Sequence, residues 1–226
     1  MGQIKTEAKS NEITAISKLL ELLLLEGRIV TIDAMGCQKD IAEKIIEKQA
    51  DYILALKDNH KKLKDDVVSS FSLRKADSEY IEESFGHGRI ETRKCSVITN
   101  LRFIESADQW SRLSSLVRIE SERIIKSTGV IEKETRFYLS SLSDAEAIGK
   151  ANRNHWGIEN KLHWVLDVVM KEDDSAKRQG YAAQNDSLIN KIALNLLRKN
   201  QKKVSIKRKR NLASWDNDFL IKLLKN

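Results

Sequence analysis

Two short stretches decide the fold: Ile29-Val30-Thr31-Ile32-Asp33-Ala34-Met35-Gly36 and Asp51-Tyr52-Ile53-Leu54-Ala55-Leu56-Lys57. Each holds a compact apolar run, rich in β-branched or aromatic residues, that stops at a charged residue. That is the pattern of a strand buried on both faces. Between them Ile41, Ala42, Ile45 and Ile46 recur at helical spacing over residues 38–49. Strand, helix and strand in this order, within about 30 residues, predict a βαβ unit with parallel strands and a right-handed crossover. The chain therefore reads as α/β. Working outward, residues 10–25 carry a helical apolar pattern, with Ser10 as a candidate N-cap and Gly27 as the stop. A further helix is expected from near Asn59 through Leu63 and Val67.

After residue 75 the period changes. Glu79 to Phe85, a Gly86-His87-Gly88 turn and Arg89 to Thr99 predict a hairpin, and Trp110 falls on a short helix. Leu116 to Ile125, a Ser127-Thr128-Gly129 turn and Val130 to Ser141 predict a second hairpin. Helical spacing returns over 143–170, with Ser143 or Asp144 as the cap, and again from Asn185 to Arg198 and from Trp215 to Leu224.

Composition narrows the function classes. The 226 residues are 41% hydrophobic and 32% charged, which suits a globular chain rather than a disordered one. Proline is absent, so element ends must be set by Gly, Asn, Ser and Asp. The longest apolar run, Leu19 to Leu25, is interrupted by Glu21 and is far too short for a membrane span. No signal-peptide pattern opens the chain. Cys37 and Cys95 lack metal-type spacing and point to a reducing compartment. A net charge of +7 and a pI near 9.3 fit a polyanionic partner.

Four features carry candidate chemistry. Asp33 sits at the carboxyl end of a predicted strand, where α/β sheets build sites; an aspartate there also commonly caps the next turn. The stretch Arg153-Asn154-His155-Trp156-Gly157-Ile158-Glu159-Asn160-Lys161-Leu162-His163-Trp164-Val165-Leu166-Asp167-Val168-Val169 places Ile158, Leu162, Val165 and Val169 on one helical face, the core side. His155, Glu159, His163 and Asp167 form a polar stripe beside it, with Trp156 and Trp164 outside both. That stripe reads either as a solvated face, with the tryptophans filling core, or as a site. No His-Glu-x-x-His order is present, which excludes a zinc-protease pattern. Asp33 and Glu159 as a carboxylate pair suit Mg²⁺, which takes oxygen ligands; two such ions about 3.5–4 Å apart support in-line attack on a phosphodiester. Around Gly88, Arg89, Glu91 and Arg93 alternate onto one strand face, either as cross-strand charge pairs or aimed at DNA phosphate. Finally, residues 198–210 concentrate Lys and Arg, as a solvated helix end or as an electrostatic contact with nucleic acid.

Val30 to Gln38, Asp51 to Lys57, His87 to Glu91 and His155 to Val168 resemble the H-repeat-associated DDE transposases of bacterial insertion sequences, and the resemblance runs from about Ser10 to the end. It implies a ribonuclease-H-like core with a β-rich insertion, and DNA cleavage and strand transfer by three carboxylates holding Mg²⁺, with Mn²⁺ as substitute. Asp33 matches the second acidic residue and Glu159 the third, so both are expected to be catalytic and metal-binding. Residues 1–77 would be core, 78–141 the insertion, and 142–226 the helical part with a basic tail. DNA contacts are expected from His87, Arg89, Arg93, His155, Lys203, Lys207, Arg208, Lys209 and Arg210. The partners would be element-end and target DNA, with a homodimer forming on DNA and no membrane, in the cytoplasm at the nucleoid. The family's first aspartate lies in an upstream Asp-Gly-Lys setting that residues 1–26 do not contain. The chain is thus expected to be an N-terminally truncated member lacking the first core strands, inactive or impaired; the alternative is a non-catalytic DNA-binding remnant that interferes with an intact transposase. Related enzymes carry Arg four residues before the glutamate and Lys seven after it. Here those positions are His155, the expected substitute, and Leu166.

Overall fold

In a computed structural model of the chain, which describes residues 12–86, 88–158, 162–177 and 179–225, the first apolar run is strand β1 (Ile29–Ile32) and the second is β2 (Asp51–Leu56). They pair in parallel, Ile29 opposite Asp51 and Ile32 opposite Leu54. Helix α2 (Lys39–Glu47) makes the crossover and buries Ile41, Ala42 and Ile45. Helix α1 (Glu12–Leu22) precedes β1; Ser10, its expected cap, lies outside the described residues. After β2 a single 3₁₀ turn, Asp58–His60, leads into α3 (Lys61–Leu73).

The four later strands are the two expected hairpins, β3 (Ser78–Gly86) with β4 (Arg89–Ile98) and β5 (Ser115–Ile125) with β6 (Ile131–Ser140). They are continuous with the parallel pair. β6 lies antiparallel on β2, Ile53 opposite Ser140 and Leu56 opposite Phe137, giving one six-stranded sheet in the order β1-β2-β6-β5-β4-β3. Among the described residues only the β1–β2 pair is parallel; every other ladder is antiparallel. Buried serines join β2 to β6: Ser140 Oγ donates to Tyr52 O at 2.9 Å, and Ser141 Oγ accepts from Tyr52 N–H at 2.9 Å.

Strand alternation divides the interior into two layers. Tyr52, Leu54, Leu56, Leu116 and Leu139 face a core shared with α1, α2 and α3. Ile53, Cys95, Val97, Val117, Ile119 and Tyr138 face the other way, onto Ala145 and Ile148 of α4 (Ala145–Ile158). Asp144 caps α4 by accepting from Glu146 N–H and Ala147 N–H, each at 3.2 Å. Gly149 lets α4 lie close on the sheet, because a Cβ there would stand 2.9 Å from Tyr80 Cδ1.

The chain divides into two compact units, Met1–Asn154 and His155–Asn226, the boundary falling in the last turn of α4. The second unit is helical. It holds a π-helical turn at Val165–Val169 and helices α5 (Ala182–Lys199), α6 (Ile206–Trp215) and α7 (Asn217–Leu224). Ser205 caps α6 and Asp216 caps α7, each accepting from a backbone N–H three residues on. Among the described residues, no helix is long and apolar enough to cross a membrane.

Two expectations about the stretch 153–169 change. Ile158 is 52% exposed and stands apart from the core face. The buried side chains are Leu166, Val169 and Met170, and Leu166 and Met170 pack on Leu194 of α5. Leu162 and Val165 of the expected face pack against the same cluster, and the helix widens here, with Met170 N–H bonded to Val165 O five residues back. Trp156 and Trp164, which one of the two open readings placed in the core, are 38% and 56% exposed.

Candidate active site

Asp33 is the first residue past β1, and its side chain is exposed. The next residues turn inward. Ala34, Gly36 and Cys37 are buried, while Met35 points out. Within this turn Cys37 N–H reaches Ala34 O at 3.3 Å and Gln38 N–H reaches Gly36 O at 2.9 Å. A Cβ on Gly36 would stand 2.3 Å from Ile32 Cγ2, so only glycine lets the turn fold back against the strand that delivers Asp33. The loop after β2 meets the same turn: Asn59 Nδ2 donates to Ala34 O and His60 Nε2 to Cys37 O, both at 2.7 Å. The His60 ring stands edge-on to Trp110, 5.6 Å between centroids.

The Asp33 carboxylate has no hydrogen bond or ion pair with any described residue. It does not cap α2, whose N-cap position is Gln38. An exposed carboxylate with its oxygens uncommitted is the kind of donor a hard divalent cation takes, so the chemistry of Asp33 fits one oxygen ligand of a divalent metal ion. Among the described residues, no group of three or more His, Cys, Asp or Glu side chains converges as a metal site. Glu159 lies outside the described residues, as does His87. Both cysteines are buried, and burial pushes their thiols up to about 12, so neither acts as a thiolate at neutral pH.

The basic residues separate into two groups. Arg89 is exposed beside Gly88, which takes φ +74° in the hairpin turn. Lys203, Lys207 and Arg208 are exposed as well. Arg93, expected at DNA phosphate, is instead paired with Glu91 at 2.6 Å. Glu91 also holds Arg123 at 2.9 Å and Arg153 at 3.7 Å, so this strand face carries an internal charge cluster. Lys209 is 6% exposed and donates to Leu197 O and Asn200 O at the carboxyl end of α5. Arg210 bonds the carbonyl of Val169 through Nη1. Burial and carbonyl bonds thus give Lys209 structural work in place of the expected phosphate contact, while Arg210 stays exposed with its Nη1 on that carbonyl. His155 stands edge-on to Trp156, 5.8 Å between centroids.

Asn59, His60 and Gly36 had no part in the expected site. The signal that reaches Asn59 and His60 is the strand-end rule applied to the second strand as well as the first.

Residues 1–196 match the transposase DDE domain family, and the chain belongs to that family. Its H-repeat-associated character appears in individual relatives. YncI of Escherichia coli O157:H7, by name a transposase, is 45% identical over 234 residues, covering 99% of this chain and 60% of its own. YhhI of Escherichia coli K12, by name an H repeat-associated transposase, is 43% identical over 236 residues, covering 99% and 62%. The chain therefore spans about three fifths of the length of these relatives. A solved piggyBac transposase synaptic complex with hairpin DNA overlaps 97% of this chain and 42% of its own. Identity there is 15% and the TM-score 0.38, too low to bear on the fold.

Proposed function

We propose that the chain forms part of an insertion-sequence transposase that cleaves DNA and transfers strands by metal-assisted phosphodiester chemistry. One observation carries this reading: in a chain of the DDE transposase family, Asp33 stands exposed and unpaired at the carboxyl end of the parallel pair. The parallel β1–β2 pair with its crossover helix is proposed as part of a ribonuclease-H-like core, and residues 78–141 as the β-rich insertion. Asp33 and Glu159 are the proposed metal-binding carboxylates, with Mg²⁺ as the ion and Mn²⁺ as substitute. Such an ion supplies Lewis-acid stabilisation of the charge that develops on the phosphodiester. The protein's own contribution at β1 is a carboxylate oxygen donor held at a strand end, with no cation among the described residues paired to it. Arg89, Lys203, Lys207 and Arg208 are the proposed contacts to DNA phosphate, since each is exposed; His87 and His155 are proposed as further contacts from the resemblance. The resemblance also supports synapsis of two DNA ends by a homodimer.

A second reading is a chain that binds DNA without cutting it. It is favoured because the resemblance assigns only two of the three acids within these residues. One experiment separates the two. The purified 226-residue polypeptide is mixed with element-end and scrambled duplexes, with Mg²⁺ or Mn²⁺, and scored for nicking and for binding across a salt series. The expected result is salt-sensitive binding with little nicking. Binding should weaken about tenfold or more between 50 and 200 mM salt in wild type. The slope should flatten in a Lys203→Ala, Lys207→Ala, Arg208→Ala triple variant. Robust nicking lost in Asp33→Ala would establish the chain as catalytic by itself. Absence of binding at low salt would remove both readings.

A further inference from the structure

We infer that Asn59 and His60 are positioning residues for Asp33, and that they set how firmly the strand-end carboxylate holds a divalent cation. The inference rests on the metal reading of Asp33 proposed above. It starts from how little the turn after β1 does for itself. Its internal bonds are Cys37 N–H to Ala34 O at 3.3 Å, which is long, and Gln38 N–H to Gly36 O at 2.9 Å. A turn held so lightly leaves the residue ahead of it, Asp33, free to shift with the strand end.

The loop after β2 supplies what the turn lacks. Asn59 Nδ2 reaches Ala34 O and His60 Nε2 reaches Cys37 O, both at 2.7 Å, so the two carbonyls at the ends of the turn are each held from outside. Since a carbonyl only accepts, His60 must carry its proton on Nε2. The clamp is itself anchored. Asn59 and His60 lie on the 3₁₀ turn fixed between β2 and α3, and the His60 ring abuts Trp110, which is 2% exposed. Ala34 and Cys37 send their side chains into the interior, so the bonds pin a turn already seated there, with Asp33 on its outer side. Each bond alone contributes only modestly to the stability of the fold. The larger effect falls on the ligand: groups that orient a metal-binding carboxylate typically cost about 10–100-fold in metal affinity when removed.

The test uses the full 226-residue chain and Fe²⁺ in place of Mg²⁺. With ascorbate and peroxide, bound Fe²⁺ generates radicals that cut the backbone beside its ligands, and mass spectrometry locates the cuts. Wild type should be cut around Asp33, and added Mg²⁺ should suppress the cut; Asp33→Ala should abolish it. With Fe²⁺ held well below the concentration that half-saturates wild type, Asn59→Leu should raise the half-suppressing Mg²⁺ concentration about tenfold, with the circular dichroism of wild type. Asn59→Gln, which keeps the amide donor, should recover part of that loss. His60→Phe keeps an edge contact to Trp110 without the bond, and should shift suppression in the same direction. If Asn59→Leu and His60→Phe both fold and leave suppression unchanged, the positioning role is overturned while the metal reading stands. If wild type is not cut near Asp33 at all, the metal reading falls and the inference falls with it. Should Asn59→Leu fail to fold, His60→Phe and Asn59→Gln decide alone.

Discussion

Asp33 and Glu91 are both strand carboxylates, yet their surroundings assign them opposite work. Asp33 is exposed and unpaired; Glu91 is 12% exposed and surrounded by Arg93, Arg123 and Arg153. Burial by itself would push the Glu91 carboxyl up, but the bonds from Arg93 and Arg123 outweigh it and hold the carboxyl below the ordinary glutamate range. A depressed carboxylate contributes stability above its unfolded pKa and loses it as pH falls through the folded value. Thermal melts of wild type should therefore lose stability as pH falls below the ordinary glutamate range. Glu91→Gln should flatten that acid limb and cost roughly 2–3 kcal/mol at neutral pH, because the charge-assisted bonds go. An unchanged acid limb in the variant would show that the cluster adds nothing to folding. The alternation of Arg89, Glu91 and Arg93 was visible in the sequence, and so were both uses of it, charge pairing and DNA contact. The Arg93–Glu91 pair lies within one strand, whereas Arg123 on the neighbouring strand and Arg153 on α4, far away in sequence, reach Glu91 only through the fold.

At the scale of elements, α6 shows how one basic run splits in two. Lys207 and Arg208 face outward; Lys209 turns under and donates to the last carbonyls of α5, where orphan C=O groups and the helix dipole favour a cation. The expected outcome is a clean separation of variants. Lys209→Met should destabilise the second unit by about 1–3 kcal/mol, since two carbonyl bonds are lost, with the salt slope of DNA binding unchanged. Lys207→Ala with Arg208→Ala should reduce that slope and leave the melting temperature within a degree or so of wild type, as surface changes do. A fall in melting temperature for the outward pair, or a reduced slope for Lys209→Met, would reverse the assignment. Charge density along residues 198–210 could not make this distinction, because it says how many cations are present and not which carbonyls they reach. The helix 162–169 teaches the same point. Its expected face holds in part, with Val169 buried and Leu162 and Val165 packed on the core cluster, and the fold adds Leu166 and Met170, which that face did not include.

For the whole molecule, the two units differ in what they bury. The first encloses two apolar clusters on opposite faces of a six-stranded sheet. The second rests on clusters centred on Leu166, Met170 and Leu194 and on Leu197, Phe219 and Leu223. So few fully buried side chains provide little against the entropy of ordering its backbone. A polypeptide ending at Ile158, so as to keep α4 whole, should unfold cooperatively with the circular dichroism of a mixed α/β protein. Residues 155–226 expressed alone should show helix without a sharp transition. A cooperative melt of the isolated second unit would contradict this.

The sequence by itself determined the α/β class, the strand–helix–strand unit, both hairpins with their turns, a cap for α4 at Ser143 or Asp144, and Asp33 as a strand-end carboxylate. These are local matters: period, turn chemistry and the charge that stops an apolar run are all written within a few residues. The tertiary structure alone decided which partners long-range contacts supply. It joined β6 to β2 so that both hairpins extend the parallel pair, gave Arg123 and Arg153 to Glu91 and Lys209 to the end of α5, and brought Asn59 and His60 onto the turn behind Asp33. Each of these pairs residues well separated in the chain, and no pattern along one segment records where another segment will lie.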